Sequence, residues 1–185
     1  MESRIIIAGT GGQGILFLGK ALAQAGIIEG KHVTWFPSYG AEMRGGTANC
    51  TVILSDDMIG SPVVLTSDIL IAMNWASIER FQPQLKKKGL LLFDSSMTNG
   101  VAFRENIVPS GIPATTIADA LGNTKAANMV MLGALIGKTD ILKKSSLDKF
   151  FSFSTAAGKN IAAEINKNSI LEGIKYFENK KSCHF

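Results

Sequence analysis

Two short stretches of the chain combine the residue types that hold and orient small ligands. The first is GTGGQG at residues 9–14, between the apolar run RIIIA and the helical pattern ILFLGKALAQAG. In such a turn Gly9 lets the chain leave a strand sharply. Gly11 and Gly12 let backbone approach a ligand with no Cβ in the way, and Gly14 opens a helix close to a sheet. Thr10 and Gln13 supply the polar side chains. The first amides of the following helix then face the turn, and the positive end of its dipole favours an anion, phosphate above all. A strand–helix turn that binds nothing has the same composition, so the glycines alone leave ligand binding open.

The second stretch is PSYGAEMRGG at 37–46. Pro37, Gly40, Gly45 and Gly46 set backbone demands, while the hydroxyls of Ser38 and Tyr39 stand close in sequence to Glu42 and Arg44. Arg44 is suited to clamp a carboxylate or phosphate through two parallel hydrogen bonds. Glu42 and Arg44 are equally able to pair with each other or with a partner chain. A dinucleotide reading asks for an acid at the end of the second strand, about 20 residues beyond the glycines, to grip the ribose. Here that strand ends TWFPS, and the nearest acids are Glu29 before it and Glu42 beyond it. NAD is therefore disfavoured.

No nucleophile and base stand together. His32 reads as a surface strand residue and His184 lies in the tail. Asp94 ends a strand, where it is either a site residue or the cap of the turn at Ser95 and Ser96. Asn128 is polar among apolar neighbours in AANMVMLGALIG and should hydrogen-bond a loop or a partner. Met129 and Met131 read as core. Cys50 and Cys183 are far apart and form no C-x-x-C pair, so a cluster or structural zinc has no support; Cys50 reads as strand core and Cys183 as tail.

The elements that must position these groups follow from periodicity. Apolar runs predict strands at 4–8, 31–37, 47–55, 68–73 and 89–95, with a short edge strand or hairpin return at 61–65. Helical spacing predicts helices at 14–28, 75–86, 124–137, 146–153 and 158–180, the last turning Ile161, Ile165, Ile174 and Phe177 inward. Residues 106–111 and 113–117 read as strand and loop. DILIAM and GLLLFDS are near-continuous apolar runs, as parallel strands covered on both faces require. The expected fold is thus a three-layer α/β sandwich on a mostly parallel sheet, with an antiparallel hairpin over 47–65. The glycine turn and the 38–46 stretch should leave consecutive strands at one end of that sheet, where ligands bind in open α/β folds.

Composition bounds the rest. The 185 residues are 46% hydrophobic and 18% charged, enough for one well-filled core and short for two. No apolar run approaches the roughly 20 residues that span a bilayer, and the N-terminal residues enter a strand with no leader pattern, so a cytoplasmic location is expected. The net charge is +4, with eight lysines against five acids in residues 139–185. Lys86-Lys87-Lys88 and Lys143-Lys144 lack interleaved aromatics and read as solvated element ends, not a nucleic-acid surface.

Taken together, GTGGQG, VTWFPSYGAEMRGGTANCTVILS at 33–55, SPVV at 61–64 and AANMVMLGALIG at 126–137 resemble the gamma subunit of 2-oxoacid:ferredoxin oxidoreductases. The equivalent domain of single-chain pyruvate:ferredoxin oxidoreductase is similar. The resemblance runs over about residues 3–180 and is greatest to the 2-oxoglutarate and branched-chain 2-oxoacid members. It implies one Rossmann-like domain across 1–185 that works only in a complex with alpha, beta and ferredoxin-like delta subunits. Such complexes decarboxylate a 2-oxoacid on thiamine diphosphate and magnesium, and pass electrons through iron–sulfur clusters to ferredoxin or flavodoxin. The acyl group goes to coenzyme A. 2-Oxoglutarate is the first expectation, with pyruvate or a branched-chain acid as alternatives. The chain lacks the G-D-G…N-N diphosphate–magnesium signature and cluster cysteines, so none of the complex's cofactors is expected on it alone. By the same resemblance Gly9, Thr10, Gly11, Gly12, Gln13 and Gly14 form the turn facing phosphate or cofactor. Ser38, Tyr39, Glu42, Arg44, Gly45 and Gly46 line an interface near coenzyme A and the thiamine site, with Arg44 on an anionic group, Gln13 making a polar contact and Asn128 a further candidate cofactor contact. The competing reading is a stand-alone nucleotide-binding or regulatory Rossmann-like module.

Overall fold

The computed structural model describes residues 1–38, 47–98, 100, 102–155 and 161–181, with backbone alone at 153–155, 161–163 and 180–181. Six strands form one sheet: β1 (Glu2–Thr10), β2 (His32–Ser38), β3 (Thr47–Ser55), β4 (Ser67–Ala72), β5 (Leu85–Asp94) and β6 (Val108–Ile112), in the order β2-β3-β1-β4-β5-β6. β1, β4, β5 and β6 run parallel. β3 alone is reversed, antiparallel to β1 on one side and to β2 on the other. The helices are α1 (Ile15–Ile28), α2 (Trp75–Phe81), α3 (Ala114–Ala120), α4 (Ala127–Lys138), α5 (Lys144–Thr155) and α6 (Ile161–Lys181).

The strand period of two divides the apolar runs between two cores. Ile5 and Ile7 of β1 and Ile69 and Ile71 of β4 point into the larger core, shared with α1, α3, α4, α5 and α6. Ile6, Ala8, Leu70 and Ala72 point the other way, into a smaller core closed by Ile78 and Phe81 of α2. The expected three-layer sandwich is therefore present, with unequal outer layers. Because α2 is short, the face of β2 on its side is open, and Phe36 is 57% exposed there.

Apart from Asn128, α4 is apolar all round and buried from Ala127 to Gly137, as a helix between a sheet and an outer layer must be. Its outer neighbour is α6, and the two backbones approach through glycines. A Cβ on Gly137 would stand 2.6 Å from the Ile174 carbonyl oxygen, and one on Gly133 or Gly173 would collide with backbone of the facing helix. α1 uses Gly19 in the same way over Cys50 and Trp35. Cys50 is fully buried, as its strand position suggested, and burial pushes its thiol up to about 12, with the Trp35 indole acting in the opposite sense. Cys183 lies outside the described residues. Ile165, Ile174 and Phe177 of α6 face the larger core as expected; the side chain of Ile161 is outside those described.

Several expected elements move. The antiparallel hairpin is β2–β3, not 47–65: residues 61–65 form no strand, and Val63 and Leu65 are exposed while Val64 packs on the smaller core. The helix predicted at 75–86 ends at Phe81, because Pro83 cannot continue it; Gln82–Gln84 make a 3₁₀ turn and β5 starts at once. Residues 113–117, read as strand and loop, begin α3. The backbone N–H of Thr115, an orphan donor of that first turn, is taken by the Asp94 carboxylate at 3.1 Å. Pro37 lies within β2 and does not end it, which the sheet edge permits.

The α4–α6 contact leaves no room for one carbon. Gly133→Ala should lower unfolding free energy by about 3 kcal/mol, read as a reduced urea midpoint with unchanged slope.

Candidate functional site

The chain leaves β1 at Thr10 and enters α1 at Ile15, so the glycine turn lies at the carboxyl edge of the parallel strands. Each glycine has its own reason. Gly9 is still in β1, paired with Ala48, so the sharp departure falls after Thr10 and not at Gly9. It is glycine because Ile15 and Gln13 fold back over it: a Cβ would stand 2.5 Å from Ile15 Cδ1 and 2.7 Å from Gln13 Oε1. Gly12 takes φ +94° with open space where a side chain would be. Gly14 takes φ +72°, and a Cβ there would collide with the amide nitrogen of Asn128 on α4, not with the sheet. Gly11 and Gly12 are exposed.

Polar side chains brace this turn from beneath. Gln13 Oε1 accepts from the Thr10 backbone N–H at 2.7 Å, and its Nε2 donates to the Met73 carbonyl at 3.2 Å. Both ends of the amide that sequence reasoning offered as a ligand contact are thus engaged within the chain. Asn74, at the junction of β4 and α2, caps α2 by accepting from the Ser77 N–H at 2.8 Å. Its Nδ2 donates to Thr10 Oγ1 at 2.6 Å and lies 3.4 Å from Gln13 Oε1. Asn128, 5% exposed, donates to the Gly14 carbonyl at 3.1 Å, so the expected loop contact of this buried amide is present. Asn74 was missed. The available signal was an asparagine directly between a predicted strand and a predicted helix, the N-cap position.

The start of α1 has no side-chain cap, and its first turn holds no acidic residue. Its unpaired amides and positive dipole end therefore face the turn without compensation from the chain, which is the electrostatic condition for receiving an anion.

The second stretch meets the first through β3. Thr47 pairs with Thr10 and Ser38 pairs with Asn49, so both ends of the 39–46 connection lie at the carboxyl edge beside the glycine turn. Tyr39, Glu42, Arg44, Gly45 and Gly46 themselves lie outside the described residues. The same pairing argues against NAD from geometry. The strand beside β1 that would carry a ribose-binding acid at its carboxyl end is here antiparallel and presents its amino end, Thr47. Asp94 is a cap: its carboxylate accepts from the N–H of Ser96 at 3.0 Å and from the Thr115 hydroxyl at 2.6 Å, as the turn-capping alternative required.

Among the described residues, no three of His, Cys, Asp and Glu are grouped to hold a metal ion, and the described cysteine, Cys50, is buried in the core. These residues do not fit an iron–sulfur cluster or a diphosphate-bound magnesium. Among them, too, no helix is long and apolar enough to cross a membrane.

Fold and site together define an α/β domain whose glycine turn opens an uncapped helix at the edge where such folds bind ligands. The chain belongs to the pyruvate ferredoxin/flavodoxin oxidoreductase family, whose model matches residues 4–176. Two relatives are named subunits of 2-oxoacid oxidoreductases. Ketoisovalerate oxidoreductase subunit VorA of Methanothermobacter marburgensis is 42% identical over 89% of this chain and 34% of its own length. 2-Oxoglutarate synthase subunit KorC of the same organism is 34% identical over 95% of this chain and 100% of its own. The chain thus spans about a third of the VorA relatives it matches. Two solved structures share the fold. The gamma subunit of a keto/oxoacid ferredoxin oxidoreductase from Geobacter sulfurreducens superposes with TM-score 0.81 at 27% identity, covering 95% of this chain and 98% of that one. The 2-oxoglutarate:ferredoxin oxidoreductase of Magnetococcus marinus, with 2-oxoglutarate, coenzyme A and succinyl-CoA bound, gives 0.83 at 25% identity, covering 97% and 31%.

The Gly14–Asn128 contact is testable by a double-mutant cycle. Gly14→Ala should cost about 2 kcal/mol or more, from left-handed strain and the collision. Adding Asn128→Ala removes the obstacle, so the double variant should lose less than the sum of the two singles by about 1 kcal/mol in urea melts.

Proposed function

We propose that this chain is the gamma-type subunit of a 2-oxoacid:ferredoxin oxidoreductase, inactive by itself, and that its carboxyl edge forms one wall of the coenzyme A site. The observation that carries this reading is the uncapped start of α1 behind an exposed glycine turn, in a chain of this family. The phosphates of coenzyme A are the anions that such a turn receives. By the family resemblance, Arg44 is assigned the role of binding an anionic group of coenzyme A, and Tyr39 and Glu42 roles at the interface with partner subunits. Partners of the alpha, beta and ferredoxin-like delta kinds bring the remaining chemistry.

Thiamine diphosphate and iron–sulfur clusters, carried by those partners, supply decarboxylation and electron transfer. The residues of this chain bind and orient the acyl acceptor and exclude water from one side. 2-Oxoglutarate is the first candidate substrate, since the KorC relative is matched along its full length and the Magnetococcus marinus enzyme holds that acid. A branched-chain 2-oxoacid is the second reading, favoured by the higher identity to VorA. Assays of one complex with both acids distinguish the two.

The complex purified through a tag on this chain should contain a thiamine-binding and a ferredoxin-like subunit and reduce ferredoxin or a viologen dye with a 2-oxoacid and coenzyme A. Arg44→Ala should raise the KM for coenzyme A about tenfold or more, the loss expected for charged hydrogen bonds, with ferredoxin reduction otherwise retained at saturation. An unchanged KM would assign Arg44 to subunit contacts alone. Activity of the purified chain without partners would sink the reading.

A further inference from the structure

We propose that Thr10 donates its hydroxyl hydrogen to the anion received at the glycine turn, and that Asn74 is the positioning residue that aims it. This rests on the coenzyme A reading above. The inference comes from following each hydrogen through the network beneath the turn.

The Asn74 amide has one orientation. Its Oδ1 faces the Ser77 backbone N–H at 2.8 Å, a group that only donates, so the oxygen must be there and the NH₂ must point the other way. The Gln13 amide is fixed by the same logic. Its Oε1 faces the Thr10 N–H at 2.7 Å, which only donates, and its Nε2 faces the Met73 carbonyl at 3.2 Å, which only accepts. Asn74 Nδ2 therefore directs one hydrogen to Thr10 Oγ1 at 2.6 Å and turns the other toward Gln13 Oε1 at 3.4 Å.

Thr10 Oγ1 is thus an acceptor toward the protein, and its own hydrogen points elsewhere. Among the described residues no acceptor takes it. Thr10 is exposed at the end of β1, Gly11 and Gly12 directly after it are exposed or nearly so, and the space beside Gly12 is open. A hydroxyl that accepts a short hydrogen bond becomes a better donor, and a β-branched residue holds its χ1 more rigidly than serine does. The partner that completes this arrangement is an oxygen that only accepts, such as a phosphate oxygen of coenzyme A. The arrangement also explains why a buried amide, 9% exposed, stands between β4 and α2: it couples the α2 cap to the rim of the turn.

The test uses the assembled complex, with KM for coenzyme A and kcat measured for Thr10→Val, Thr10→Ser and Asn74→Asp. Thr10→Val removes the hydroxyl at constant shape. Asn74→Asp keeps the α2 cap but offers a carboxylate to Thr10, which then donates inward and away from the ligand. Both should raise KM for coenzyme A about tenfold, with kcat within about twofold; Thr10→Ser should restore a KM near that of the parent. Thermal melts of the same variants report any loss of structure separately. Hydrogen exchange over residues 9–17, with and without coenzyme A, checks the parent reading. If coenzyme A protects this segment while Thr10→Val leaves KM unchanged, the hydroxyl assignment is overturned and the site stands. If the segment is unprotected, both fall.

Discussion

One reversed strand determines what this fold can do. β3 enters between β1 and β2 and runs against both. In a dinucleotide fold the place beside the first strand belongs to a parallel strand whose carboxyl end carries the ribose-binding acid. Filling that place with an antiparallel strand removes the acid's position and brings the amino end of β3 to the carboxyl edge. Thr47 then pairs with Thr10, and the stretch between Ser38 and Thr47 starts and finishes beside the glycine turn. Two stretches separated by a helix and a strand in sequence are so joined at one edge.

A stretch with four glycines among six residues loses much conformational freedom on ordering. The chain compensates with contacts that leave little choice. Ile15 and Gln13 close over Gly9, and Asn128 reaches from α4 to the Gly14 carbonyl. Asn74 ties the turn to the next strand–helix junction. The α4 helix that presents Asn128 is itself held by glycine-mediated contact with α6. The contacts that hold the turn therefore connect through α4 to the outermost helix. Such support suits the anion-binding role proposed for the turn.

The sequence was most legible where a local pattern and the tertiary role coincide. Near-continuous apolar runs became parallel strands, and the glycine turn stood at the strand–helix junction as expected. It was least legible where packing at a distance decides. Gly14 was assigned to the sheet, yet the residue that excludes its Cβ is Asn128, 114 positions away. Gln13 suits a ligand contact by type and place, but its bonds to the Thr10 N–H and the Met73 carbonyl, 60 positions away, are not legible in the sequence. Residues 61–65 misled through composition: SPVVL has strand-forming side chains, but no sheet edge was there to take them. Asn74 was hidden because an N-cap looks the same whether or not its amide also braces a neighbouring turn.

The central claim is that the carboxyl edge of this chain is half of an anion site, preformed but completed only by partner subunits. Calorimetric titration of coenzyme A and of NAD into the isolated chain and into the assembled complex tests it most directly. The expected result is weak or undetectable binding of both by the chain alone and tight binding of coenzyme A by the complex. Tight binding of NAD by the isolated chain would contradict it, and would make the glycine turn a complete nucleotide site in its own right.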